Sequence, residues 1–173
     1  MPGKSIRLFF GLWPDQMLRK QLIELARQVP LLKNARLTRQ FNLHLTLHFI
    51  GNTTTDRLPC YIQQAQSVEF EPFSLSLDEL GNFKKQKIVW AGCNHIPGQL
   101  EKLHQDLGEA LKHCGYLPEK RRYKPHVTLY RKAMLAQPCR IPTITWTVKS
   151  FSLIKSEADK NGVVYSEIKR FNV

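Results

Sequence analysis

The chain has 173 residues, which is within the range of a single domain with its own core. Its formal charge of +12 and pI near 9.8 indicate an anionic partner, with nucleic acid as the leading candidate. No apolar run approaches the length of about 18 residues that a membrane span requires. The apolar stretch near the start is too short for a signal peptide, so we expect a cytoplasmic protein that does not bind membranes.

The first half of the chain alternates strand and helix patterns. A proline opens the first helix, and Pro14 is expected at its first position. The apolar stripe of that helix recurs at helical spacing. A second helix follows Thr53-Thr54-Thr55-Asp56, which supplies candidate caps. The predicted elements are the strand 6–12, the helix 14–29, the strand 43–50 and the helix through Ile62 and Ala65.

The second half repeats this mixture and ends in strands. Gly81-Asn82 is predicted to turn the strand 73–80 into the strand 87–93. Pro97 opens a helix whose apolar stripe runs from Leu100 to Cys114, and Gly115 is the expected terminator. The last predicted strands are 143–154 and 163–168.

A short pattern occurs twice, as His44-Leu45-Thr46-Leu47 (motif 1) and His126-Val127-Thr128-Leu129 (motif 2). Chance would supply fewer than one such His-x-Thr triplet in this composition. Because residues two apart share a face of a strand, each histidine lies beside its threonine while the leucines and valine face a core. An imidazole and a hydroxyl on a rigid strand, present twice, suit acid–base chemistry on a phosphate ester.

The surroundings of the two motifs also repeat. His44 follows the strand start at Ile6 by 38 positions, and His126 follows Ile88 by 38 positions. A proline-opened helix lies between each pair. We therefore predict one domain, 1–173, with an internal duplication of strand, helix and motif strand over about 6–50 and 88–131.

These residues resemble the two-histidine phosphoesterases, and most closely the bacterial RNA 2′,3′-cyclic phosphodiesterases also described as 2′-5′ RNA ligases. The likeness rests on residues 43–51 and 125–131, with weaker support from Arg7-Leu8-Phe9-Phe10. It implies an α+β fold of two pseudo-symmetric lobes. Each lobe would have a sheet rich in antiparallel strands with helices on its outer face, and the active-site groove would lie between the lobes.

The resemblance implies hydrolysis of an RNA or nucleotide 2′,3′-cyclic phosphate to a 2′-phosphate. His126 is assigned as the base and His44 as the acid, while Thr46 and Thr128 hold the non-bridging oxygens. Unperturbed imidazole pKa values near 6.5 would let both forms coexist at neutral pH. Two alternatives stay open, namely 2′-5′ end joining as the main activity and a noncatalytic RNA-binding module.

Further substrate contacts are expected around the motifs. Arg131 ends the second motif strand, where a guanidinium could pair with phosphate or stack on a base. Tyr130, the residue before Arg131, is also expected to contact the substrate. Arg122 belongs to a basic run, 120–124, that leads into motif 2 and could steer RNA. Either Phe9 or Phe10 could face the groove, and we take Phe9 as the candidate that contacts the nucleobase.

Cofactor and metal sites are not expected. The four cysteines lack CxxC spacing, and without a secretory signal all four are expected to be reduced. His44 and His48 lie about 13 Å apart if they share one face of a strand, which is too far for one metal ion. We therefore expect metal-independent chemistry without a cofactor, and a monomeric protein.

Overall fold

A computed structural model describes residues 3–32, 35–160 and 162–172. Three α-helices lie within these residues, α1 (Gln16–Arg27), α2 (Leu58–Gln66) and α3 (Gly98–Lys112). The strands are β1 (Ser5–Leu12), β2 (Arg36–Leu37), β3 (Leu45–Thr54), β4 (Phe73–Leu77), β5 (Glu79–Phe83), β6 (Ile88–Gly92), β7 (His126–Arg131), β8 (Ile144–Val148), β9 (Ser150–Asp159) and β10 (Gly162–Asn172). No described helix is long and apolar enough to span a membrane.

One antiparallel sheet of eight strands organises the described residues. Its order is β10-β9-β1-β3-β7-β6-β5, with β2 paired to β7, while β4 and β8 form a separate two-stranded sheet. The α+β class is therefore confirmed. The sheet continues from β3 to β7 through the pair Leu45 and Val127. The two lobes and the internal duplication stay predictions.

Helix α1 forms because its apolar residues recur at helical spacing and because its first turn is capped. Leu18, Leu22 and Leu25 are buried against the sheet. The Asp15 side chain accepts a hydrogen bond from the Leu18 backbone N–H at 2.8 Å, so Asp15 is the N-cap. The expectation that Pro14 is the first helical residue is wrong, since it precedes this cap.

Helix α3 buries the predicted stripe of leucines. Pro97 is its N-cap rather than its first residue, which corrects the second proline assignment. After the helix, Gly115 takes a φ of 77°, a conformation that side chains disfavour. The predicted terminator is therefore confirmed.

Two of the strand predictions merged elements that belong to different sheets. The stretch 73–80 contains β4 and the start of β5, and the stretch 143–154 contains β8 and the start of β9. An alternating pattern continues when a chain passes from one sheet to another, so it gives no sign of the change. The small sheet of β4 and β8 was missed for this reason.

The predicted turn at Gly81-Asn82 is also wrong. Both residues lie within β5 and pair with Trp90 and Val89, and the chain turns at residues 84–87 instead. A Cβ atom on Gly81 would lie 2.3 Å from the Trp90 ring. Glycine is therefore required here for close packing, and a turn is not its cause.

A disulfide between Cys60 on α2 and Cys114 after α3 corrects the expectation of four reduced cysteines. The two residues are 54 positions apart, and their proximity depends on the packing of α2 against α3, which spacing does not reveal. Cys93 and Cys139 are free.

We expect Cys60→Ser to lower the free energy of unfolding by about 2–4 kcal/mol, because the crosslink restricts the unfolded chain. Urea denaturation of the oxidised protein measures the loss. Treatment of the wild type with a reductant should lower its free energy of unfolding to that of the variant. Cys139→Ser is the control, because Cys139 is free and its loss leaves the disulfide intact. Equal stability of all these samples would contradict the crosslink.

Candidate active site

The two motif strands lie side by side. Leu45 pairs with Val127 in antiparallel register. This register places His44 across from Thr128 and Thr46 across from His126 on the same face of the sheet. The four predicted motif residues are therefore brought together by one strand pairing.

Both imidazoles are oriented by a backbone carbonyl two residues earlier. His44 Nδ1 lies 2.7 Å from the Asn42 carbonyl oxygen, and His126 Nδ1 lies 2.7 Å from the Lys124 carbonyl oxygen. A carbonyl only accepts, so each Nδ1 carries the proton and each neutral Nε2 has a lone pair. His44 Nε2 accepts from the Thr46 hydroxyl at 3.1 Å.

Asn42 is buried and is itself fixed by β10. Its side-chain Nδ2 donates to the Val163 carbonyl at 2.6 Å, and its Oδ1 accepts from the Tyr165 backbone N–H at 3.2 Å. Both polar atoms of the amide are therefore used. The carbonyl that orients His44 is held by this pair of bonds.

A cavity of about 550 Å³ opens beside motif 1. His44, Thr46 and Thr128 line it, together with Arg131 from the end of β7. His126 does not line this cavity. The His126 ring packs against Phe83, with the two ring centroids 4.9 Å apart.

An irregularity in β3 decides which of its side chains face the cavity. Gly11 pairs with Thr46 and Phe10 pairs with His48, so Leu47 is an extra residue in β3. His48 consequently lies on the core side with only 4% of its surface exposed. The prediction that it shares the face of His44 is wrong, because the bulge interrupts the alternation. Phe49 is turned onto the cavity, with 44% exposed.

Strand β7 carries an irregularity at the equivalent step. Trp90 pairs with Thr128 and Val89 pairs with Tyr130, which leaves Leu129 as the extra residue. Tyr130 does not line the cavity, and its hydroxyl donates to the Ala26 carbonyl of α1 at 3.0 Å. The structure thus places the expected substrate contact Tyr130 against a helix. Arg131 does line the cavity.

Phe9 lies on the cavity side and Phe10 lies in the core, which decides between the two candidates. The Phe9 ring centroid is 4.6 Å from that of His44 and 5.0 Å from that of Tyr165. Only 2% of Phe9 is exposed, so its ring supports the imidazole and offers little face to a base.

The basic residues around the cavity differ from those expected. Arg122 does not line it, and the Lys124 ammonium lies 4.3 Å from the centroid of the Trp90 ring. Arginines from other segments do line it, at Arg7, Arg36 and Arg39. Arg7 alternates with Phe9 on β1, a signal that could have identified it. The other two come from a segment without a regular pattern.

Burial lowers the pKa of both motif histidines. The pKa of His44 falls to about 4, chiefly because burial disfavours the charged imidazolium, and Arg131 and His126 lower it further. The pKa of His126 is also lowered, first by burial and then by Arg121, Lys124 and Arg131. The expectation of unperturbed values near 6.5 is therefore wrong.

The described residues hold no group of three or more His, Cys, Asp or Glu side chains that could bind a metal ion. Residues 14–160 match the model of the 2′-5′ RNA ligase superfamily. The chain belongs to this superfamily.

Relatives within the superfamily cover nearly the whole chain. The RNA 2′,3′-cyclic phosphodiesterase of Escherichia coli is 28% identical over 167 residues, 95% of each chain. That of Thermus thermophilus is 27% identical over 184 residues, 97% of this chain and 90% of the relative. The crystal structure of E. coli LigT complexed with 3′-AMP is 27% identical and covers 98% of this chain and 99% of that one, with a TM-score of 0.88.

We expect NMR titration of the free protein to give His44 a midpoint near pH 4. Because the unfolded imidazole takes its proton near pH 6.5, the folded state loses stability as the pH falls from 6.5 towards 4. Inorganic phosphate should raise the midpoint by favouring the imidazolium. A midpoint at or above 6.5 without phosphate would contradict the burial of the ring.

Proposed function

We propose that the protein hydrolyses RNA or nucleotide 2′,3′-cyclic phosphates to 2′-phosphates without a metal ion. The observation that carries this proposal is the pair of imidazoles, each with Nδ1 bound to a carbonyl, on neighbouring strands joined at Leu45 and Val127. Membership of the superfamily and the names of the relatives support the same substrate class.

In the proposed reaction, His126 takes a proton from water and the water oxygen forms a bond to phosphorus. The bond from phosphorus to the ribose 3′ oxygen breaks, and His44 gives that oxygen its proton. The nearby Arg121 and Lys124 disfavour a charged His126, which suits a base. Burial is the main cause of the low pKa of His44, and the bound phosphate anion offsets it by favouring the imidazolium.

The threonine hydroxyls stabilise the phosphate. In the free protein, Thr46 donates to His44 Nε2. Protonation of His44 removes this lone pair, so the Thr46 hydroxyl can then donate to a non-bridging phosphate oxygen. Thr128 lies across from His44 and supplies the second donor. Charge that develops on these oxygens in the transition state is stabilised by the two donors and by Arg131.

The arginines and Phe49 indicate how a nucleotide lies in the cavity. Phe49 is the exposed aromatic ring of the cavity, and the Arg7 guanidinium lies 5.0 Å from its centroid. A nucleobase stacks readily on such a pair of planar groups. We therefore assign the contact with the nucleobase to Phe49. Phe9 instead supports the His44 ring.

The name of the superfamily also refers to 2′-5′ RNA ligation. In joining, a ribose 5′ hydroxyl replaces water as the nucleophile: its oxygen forms a bond to phosphorus, the bond from phosphorus to the ribose 3′ oxygen breaks, and the same two imidazoles take and give the protons. A noncatalytic binding module is the remaining alternative. It would bind RNA but leave a cyclic phosphate unchanged.

The deciding experiment is incubation with a 2′,3′-cyclic mononucleotide in excess chelator, followed by identification of the product by phosphorus NMR. We expect a 2′-phosphate to form at the same rate with and without chelator. Loss of activity in chelator, restored by a divalent ion, would overturn metal independence. An unchanged substrate in every condition would favour the binding module, and joined 2′-5′ products from RNA ends would favour the ligase.

His44→Ala and His126→Ala should each lower kcat by about 10²-fold or more, because each removes a proton-transfer group. His95→Ala is the matched control, since this histidine lies in the loop before α3, outside the cavity. Steady-state kinetics with the cyclic mononucleotide measure the effect. Normal turnover of either motif variant would remove that histidine from the mechanism.

Substitutions at the cavity and in the basic run should separate by substrate. Arg131→Ala and Phe49→Ala should raise KM for cyclic mononucleotides and for oligonucleotides alike, because the contacts are with the terminal nucleotide. Arg131→Ala should also lower kcat on both substrates, because Arg131 stabilises charge in the transition state. Arg122→Ala, outside the cavity, should affect only oligonucleotides and should reduce the salt dependence of their KM. Equal losses on the mononucleotide would contradict this division.

A further inference from the structure

The carbonyl that orients each imidazole needs a support of its own. Asn42 supplies this for motif 1 through its two side-chain bonds to β10. The Lys124 side chain instead extends away from the backbone, to the Trp90 ring and to Glu79. The Lys124 side chain therefore gives no such support to its own carbonyl, and the neighbouring residues in the chain are the candidates for it.

Tyr123, the residue before Lys124, connects motif 2 to motif 1. Its hydroxyl donates to the Thr46 carbonyl at 3.0 Å, across 77 positions of sequence. Pro125 follows Lys124, fixes its own φ and favours an extended Lys124. Pro125 therefore restricts the backbone between the Lys124 carbonyl and His126, and the Tyr123 side chain anchors the residue before it.

A stack of rings holds Tyr123 in this place. Its ring centroid is 3.8 Å from that of His104 on α3, which is 4.2 Å from that of His48. His48 donates through Nε2 to the His104 carbonyl at 2.7 Å, and its Nδ1 accepts from the Tyr116 hydroxyl at 3.2 Å. The stack therefore extends from the core side of β3 to the segment before motif 2.

We propose that Tyr123 is a positioning residue, whose hydroxyl fixes the Lys124 carbonyl, and through it His126, relative to Thr46. It does for motif 2 what the Asn42 side chain does for motif 1. Tyr123 itself does not line the cavity and acts through its neighbours. The kinetic consequence rests on the proposed function, whereas the geometric one does not.

The test is Tyr123→Phe, which removes the hydroxyl and keeps the ring stack. We expect kcat on the cyclic mononucleotide to fall about tenfold while KM stays within about twofold, because small displacements of a catalytic group cost rate and not ground-state binding. The His126 imidazole should change from the Nδ1–H tautomer to a mixture of both tautomers, because the Lys124 carbonyl loses its fixed position. Nitrogen-15 NMR measures this change.

Tyr130→Phe is the matched control, since it removes a hydroxyl bond to a backbone carbonyl of the same 3.0 Å length. Both variants should lower the thermal midpoint by similar amounts, but only Tyr123→Phe should alter the His126 tautomer. An unaltered tautomer, or a kcat equal to that of Tyr130→Phe, would overturn the proposal. If the wild type does not hydrolyse the substrate, the proposed function fails and the tautomer alone decides the role of Tyr123.

Discussion

The pairing of Leu45 with Val127 is the contact on which the site depends. It joins β3 to β7, and with them the strands on either side, into one sheet. Both residues are fully buried, so their apolar burial stabilises this joint. Antiparallel register then places each motif histidine across from the threonine of the other motif. A slip of one strand by one residue would turn its histidine and threonine away from the face that carries the other pair.

Bulges allow the two motif strands to serve two faces at once. Up to the threonines, the strands alternate between the face shared by the motif residues and the core. The extra residue at Leu47, and its counterpart at Leu129, restarts the alternation. Phe49 and Arg131 thereby reach the cavity, while the residues before them pack elsewhere. Bulges beside a site often redirect side chains in this way.

Burial gives the site an electrostatic character that depends on its ligand. Burial is the main cause of the lowered pKa of both imidazoles, and nearby cations, Arg131 at His44 and Arg121, Lys124 and Arg131 at His126, lower it further, so the free protein favours neutral rings. An anion in the cavity reverses this preference, since it stabilises the imidazolium. The positive charge of the cavity walls thus has two consequences. It attracts a phosphate, and it adds to the effect of burial in disfavouring the charged imidazolium of the free protein.

The sequence by itself determined the two motif strands and the helices α1 and α3, because each depends on periodicity over neighbouring residues, and its resemblance to a family implied the α+β class. The position of Arg131 at the end of the motif 2 strand also singled it out, and the structure places it at the cavity. Tertiary structure alone decided the orientation of His48, Tyr130 and Phe49, since each follows a bulge that depends on the register of a partner strand. The disulfide, the second sheet and the positions of Arg36 and Arg39 at the cavity likewise depend on contacts between distant segments. Such contacts leave no local pattern, because the residues that make them are selected by packing and not by spacing.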